Sequence, residues 1–163
     1  HEDLLLRFLG GELDAGRHWF DYDGLDALAD YGVAISDRKR RDDAGVEMLR
    51  ERFAAALPPS HLEFFRSLRV SHRAADYFFV HGGVRPGVPL EMQNDRDCMW
   101  IRKPFLESDA NHGAIVVHGH SISARPEVLH NRIGIDTGAY RSGVLTCLVV
   151  EGESLAFLQT AST

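Results

Sequence analysis

Cysteine is scarce in this sequence. Cys98 and Cys147 stand alone, with no C-x-x-C pair and no secretory leader, so the expected setting is reduced and cytoplasmic and neither thiol reads as a metal ligand. Positive charge is also short: 18 Lys and Arg against 24 Asp and Glu give a formal charge of −6. A domain-wide excess of cations able to neutralise phosphates is missing, which argues against a nucleic-acid binder. One local basic run, Arg38-Lys39-Arg40-Arg41, is followed at once by Asp42-Asp43 and reads as a solvated loop ahead of a helix. No apolar stretch approaches the roughly 18 to 20 residues that span a bilayer, so no membrane segment is expected. Internal repeats, low-complexity tracts and linkers are missing too.

What is present is ordinary globular material: 44% apolar and 26% charged residues in a chain of 163, enough for a single domain with a real core over residues 1–163. The chain opens at His1 directly in a helix-like pattern, and further sequence is expected upstream. Leu4, Leu5, Phe8 and Leu9 recur at helical spacing behind the acidic pair Glu2-Asp3, with Gly10-Gly11 as the stop. A loop carrying Trp19, Phe20 and Tyr22 is expected next, then a short helix marked by Leu25, Leu28 and Ala29 and ended by Gly32. Val46, Leu49, Phe53 and Ala56 predict a longer amphipathic helix from Asp42 to Leu57, stopped by Pro58-Pro59. Ser60 and Glu63 stand at capping-box spacing ahead of a helix built on Leu62, Phe65 and Leu68.

Helices therefore fill residues 1–70, and strands dominate 71–163. Strand-like runs cover Tyr77 to Val80, Ala114 to His118, Arg132 to Asp136, Val144 to Val150 and Leu155 to Gln159, the last two forming a hairpin across Glu151-Gly152-Glu153. The connection between the first two, with Pro86, Gly87, Pro89 and Met99-Trp100-Ile101, reads as loop and short helix. The fold class is α/β.

Two of these strands end alike. Ala114-Ile115-Val116-Val117 runs into His118-Gly119-His120-Ser121, and Tyr77-Phe78-Phe79-Val80 runs into His81-Gly82-Gly83. Polar residues at the carboxyl ends of such strands sit where open α/β sheets place ligands. Neutral imidazole is the commonest side-chain metal ligand, so His81 and His120 are the candidate metal pair. His118 and His120, as H-x-H in one strand, are expected to share a face. Cupins also use H-x-H, but with a glutamate about four residues on, whereas here the next carboxylate is Glu127. His18, His61, His72, His112 and His130 keep the ordinary reading of surface or core-satisfied histidines. Arg102, between the two His strands, could grip a phosphate through its paired donors or form a surface ion pair. Tyr140 could line a pocket or cap the core.

Taken in order, these motifs resemble the phosphoprotein phosphatase branch of the calcineurin-like metallophosphoesterases, in its bacterial members and the related symmetrical diadenosine tetraphosphatases. His1-Glu2 resembles the end of that family's G-N-H-E motif. Phe20 to Gly32 is similar to W-x-x-x-G-G-x-x-T-L-x-S-Y-G. Val80 to Gly83 matches V-H-G-G, Trp100 to Arg102 matches W-x-R, His118 to Ser121 resembles G-H-T with Ser121 in place of threonine, and Ile135 to Tyr140 matches I-D-T-G-A-Y.

The resemblance implies the carboxyl-terminal part of a two-sheet sandwich flanked by helices. It also implies a hydrolase that uses two divalent ions, Mn²⁺ foremost with Fe or Zn²⁺ as alternatives. His81 and His120 would ligate the second ion, Arg102 and Tyr140 would face substrate phosphate, His118 would act beside them, and His1 would be the general acid. The family's G-D-x-H-G and G-D-x-x-D-R-G motifs are missing from these 163 residues, so the resemblance makes this chain the carboxyl-terminal part of a longer enzyme. The implied partner is a phosphoprotein carrying phosphoserine or phosphothreonine, or a small phosphoester. A dinucleotide polyphosphate is the alternative substrate, and a non-catalytic interaction fragment the alternative class.

Overall fold

A computed structural model describes residues 1–35 and 41–161. They fall into two compact units, 1–68 and 69–163, the first helical and the second containing every described strand. Among the described residues no helix is long and apolar enough to cross a membrane.

The first unit is built from α1 (Glu2–Leu9), α2 (Leu13–Phe20), α3 (Gly24–Asp30), α4 (Asp43–Ala56) and α5 (Pro59–Ser67). Acidic Glu2 and Asp3 begin α1 and Arg7 ends it, matching the helix dipole at both ends. Asp42 caps α4, its carboxylate accepting from the Gly45 amide at 2.7 Å. Leu4, Leu5, Phe8, Trp19, Phe20, Leu28, Val46, Leu49 and Phe53 are buried. Phe20 stands edge-on to Phe8, ring centroids 5.3 Å apart, and Trp19 lies 5.7 Å from Phe53.

Two expectations change here, and a third lies mostly outside the described residues. Trp19 and Phe20 sit on a helix instead of a loop: with Ala15 and Gly16 they form its buried face, and Gly16 lets the Phe8 ring approach where a Cβ would fall 2.3 Å from it. The Ser60–Glu63 capping box does not form, because α5 starts earlier, on Pro59, and no side chain caps it; proline at the first helical position already has the required φ and no amide to satisfy. Ser36 to Arg40, hence most of the basic run, lie outside the described residues. The remaining member, Arg41, lies in the loop ahead of α4, half-buried with its guanidinium over the Phe20 ring at 5.0 Å.

The second unit holds a mixed five-stranded sheet of order β1-β2-β3-β5-β4. Its strands are β1 (Ser71–Ala74), β2 (Tyr77–Val80), β3 (Ile115–His118), β4 (Glu127–Val128) and β5 (Arg132–Gly134). β2, β3 and β5 are parallel neighbours, and the edge strands β1 and β4 run antiparallel to theirs. Helices α6 (Asp95–Trp100) and α7 (Lys103–Leu106) lie in the connection from β2 to β3, and α8 (Ala139–Ser142) follows β5. Phe78, Val80 and Val116 from the sheet pack with Val84, Leu90, Cys98, Ile101 and Phe105 from that connection into one core. The hairpin of β6 (Thr146–Glu151) and β7 (Ser154–Gln159) forms a separate two-stranded sheet, turned at Gly152 with φ +60°. The fold is thus mixed helix and strand around a mixed sheet, in keeping with an α/β class.

Candidate metal centre

The parallel registers bring both histidine motifs to one edge. Val80 pairs with His118, and His118 with Gly134, so the three strands finish level and the next residues emerge together. The ladder runs one bond further on each side: the Gly119 amide donates to the His81 carbonyl and the Ile135 amide to the His118 carbonyl, both at 2.9 Å. Beyond that point the chain turns sharply. The Ser121 amide donates back to the Gly119 carbonyl at 2.6 Å, and His120 between them has φ +62°. His120 is therefore the centre of a γ-turn of the rare, strained, positive-φ kind.

That turn points the His120 ring at His81, their centroids 4.9 Å apart and their planes inclined at 57°. It also corrects the expectation that His118 and His120 share a strand face. The strand ends at His118, whose ring is 3% exposed and stands edge-on to Phe105 at 5.0 Å. His118 Nδ1 donates to the Gly119 carbonyl at 3.1 Å, Nε2 is buried without a partner, and burial pushes the imidazole pKa down.

His120 is held by the segment from Trp100 to Arg102. Its ring hydrogen-bonds the Trp100 backbone and meets the indole edge-on at 5.8 Å, while Arg102 Nη1 donates to its carbonyl at 2.9 Å. His120 Nε2 is buried with no partner. Burial first, then the neighbouring Arg102 and His81, push the His120 pKa down to about 4, so the ring is neutral at physiological pH and its lone pair is available.

The supporting segment is itself bolted down. The Gly82 amide donates to the Cys98 carbonyl at 2.6 Å, seating α6 on the exit of β2. Asn94 caps α6 by accepting from the Asp97 amide at 2.8 Å and donating to the Asp97 carboxylate at 2.7 Å. Arg85 closes a two-pronged pair on Asp97, with both bonds 2.6 Å. That guanidinium, assisted by Asn94 and opposed by burial, holds the Asp97 carboxyl below its ordinary pKa. A carboxylate whose folded pKa is depressed stabilises the fold above its unfolded value and loses that contribution as pH falls through the folded one. Melting temperature followed from neutral to acid pH is therefore expected to fall less steeply for Asp97→Asn than for the wild type below the ordinary carboxylate range, with a lower neutral plateau. Parallel curves would show that the pair contributes nothing.

The other sequence candidates lie as follows. Tyr140 is 79% exposed on α8, so it does not cap the core. His1 belongs to the helical unit, where its ring stacks on Tyr22 at 5.6 Å. Asp136 was not among the sequence candidates. It follows β5, a Cβ on Gly119 would sit 4.0 Å from its Oδ2, and its charge favours the protonated form of His120. The strand-like run from Arg132 to Asp136 carries it at its carboxyl end, but its approach to the histidines depends on the pairing of β5 with β3.

Two facing imidazoles, one with a buried unpartnered Nε2, suit a borderline cation as a pair of ligands. They are a pair and not a set: among the described residues no group of three or more His, Cys, Asp or Glu could hold a metal ion. No protein-family model matches the chain, and no curated protein matches it.

Proposed function

We propose that this chain is part of a calcineurin-like, metal-dependent phosphoesterase that hydrolyses phosphate monoesters, with phosphorylated serine or threonine in proteins as its substrate class. The observation that carries the reading is the convergence of His81 and His120, 39 positions apart in a sequence whose parallel strands bring their rings within 4.9 Å. Divalent ions, Mn²⁺ foremost, supply Lewis acidity and a water activated near neutral pH. In this chain His81 and His120 would hold one ion. Arg102 would offset charge on the equatorial phosphoryl oxygens. The further ligands are those the family carries in its aspartate motifs, and the general-acid role of His1, with the substrate roles of His118 and Tyr140, rests on the resemblance alone.

A second reading, a non-catalytic interaction fragment, is favoured by the limited ligand set: two imidazoles fall short of the three or more protein ligands of a catalytic site. The test is the protein expressed in its full reading frame, stripped with EDTA and assayed on p-nitrophenyl phosphate. Hydrolysis that returns with Mn²⁺ is the expected result. No turnover with Mn²⁺, Fe²⁺ or Zn²⁺ would leave the interaction reading. Phosphopeptide and diadenosine tetraphosphate, compared in the same assay, separate the two substrate classes.

A further inference from the structure

We propose that Arg102 is a positioning residue as well as a phosphate ligand: one amine of its guanidinium locks the γ-turn that aims His120 at His81, while its other edge is kept for substrate. The second half of this statement rests on the phosphoesterase reading; the first does not.

The γ-turn is the weak point of the site. A β-branch-free but bulky residue at φ +62° sits in a sparsely populated region, and such conformations persist only where the surroundings over-determine them. The i to i+2 bond from Ser121 to Gly119 uses the Gly119 carbonyl, leaving the His120 carbonyl to find its donor elsewhere. Arg102 Nη1 supplies it at 2.9 Å, and the same atom lies 3.4 Å from Ser121 Oγ. One nitrogen thus touches both residues at the exit of the turn. Arg102 reaches them from the start of α7, where its own backbone is irregular, with φ −129° and ψ −101°. That irregular step lies one residue beyond Ile101, which is buried in the core, so the guanidinium projects from a fixed base.

Nε and Nη2 of Arg102 make no hydrogen bond among the described residues. They form the edge of the guanidinium that grips two phosphate oxygens in parallel. A lysine could satisfy the His120 carbonyl but would have no second edge to offer. The residue type is explained by the two tasks together.

The experiment compares wild type, Arg102→Ala and Arg102→Lys in the full reading frame, with Mn²⁺ alone and then inorganic phosphate as probes. In the metal-free proteins the ¹³Cα and ¹³Cβ shifts of His120 report its backbone region, and the electron paramagnetic resonance of free Mn²⁺ reports affinity. Arg102→Ala is expected to move the His120 shifts out of the positive-φ range and to weaken Mn²⁺ binding by about tenfold or more, the usual cost of removing a residue that orients a ligand. Arg102→Lys is expected to recover the shifts and the Mn²⁺ affinity but not phosphate binding. Unchanged His120 shifts with unchanged Mn²⁺ affinity in Arg102→Ala would overturn the positioning role even if the wild type binds metal. A wild type that fails to bind Mn²⁺, with His120 shifts that still respond to Arg102→Ala, would sink the phosphoesterase reading and leave the positioning role standing. Should Arg102→Ala fail to fold, Arg102→Lys decides: loss of the His120 signature there overturns the division of tasks.

Discussion

His81→Ala and His120→Ala are each expected to reduce Mn²⁺-stimulated hydrolysis of p-nitrophenyl phosphate by more than about 100-fold, since removing a residue that merely orients a ligand already costs about 10- to 100-fold. The loss should be specific to metal binding. His81 is exposed just past the end of β2, and its backbone carbonyl, which accepts from the Gly119 amide, survives the substitution. The His120 ring is only half-buried; its Nε2 has no protein partner to lose, and the substitution gives up one hydrogen bond to the Trp100 backbone and the edge contact with the indole, a change of a few degrees at most. Melting temperatures near that of the wild type should accompany the loss of turnover, and Mn²⁺ affinity should fall in parallel. Near-normal turnover by either variant would remove both residues from the metal centre.

The strand positions were legible because β-branched and aromatic runs stop on glycine: Val80 before His81-Gly82-Gly83, and Val117-His118 before Gly119. Those stops predict which ends of the strands carry histidine, and parallel pairing of β2 with β3 puts both ends on one edge. The γ-turn was not legible. Nothing local forces His120 to a positive φ; the conformation depends on a hydrogen bond from Arg102, 18 residues earlier, and a period-2 pattern extended past its true end placed His118 and His120 on one face. Asp136 was hidden for a similar reason, because its relevance comes from a register between β3 and β5 that sequence spacing does not reveal.

Elsewhere the failures are of the same kind. Trp19 and Phe20 read as loop, yet they lie on α2, whose packing depends on a contact distant in sequence: Gly16 admits the Phe8 ring. Edge strands β1 and β4 carry polar and charged residues, Ser71, His72 and Arg73 in one and Glu127 in the other, so neither shows an apolar run. They are defined by their antiparallel partners, and edge strands are expected to be short and charged.

Gly83→Ala should unfold the second unit more readily than any exposed change near the site, by about 4 kcal/mol, combining roughly 1–3 kcal/mol of backbone strain with a similar cost of overpacking. Gly83 has φ +144°, and a Cβ there would fall 2.2 Å from Cδ1 of Phe105. Phe105 has no room to yield. It is fully buried, with His118 edge-on at 5.0 Å, His112 at 5.7 Å and the Arg132 guanidinium over its ring at 6.0 Å. Gly87 is the control: its φ is +78°, but a Cβ would meet nothing within 4 Å, so Gly87→Ala carries strain without a clash. Thermal unfolding should separate the two, with a fall of roughly 16 °C or more for Gly83→Ala and a much smaller one for Gly87→Ala. Adding Phe105→Leu to Gly83→Ala should recover part of the loss, because the two side chains compete for one volume and their effects cannot add. If Gly83→Ala melts within a few degrees of the wild type, about the effect of 1 kcal/mol or less, the close seat of α7 against the His81-Gly82-Gly83 exit is wrong, and with it the rigid base from which Arg102 reaches His120.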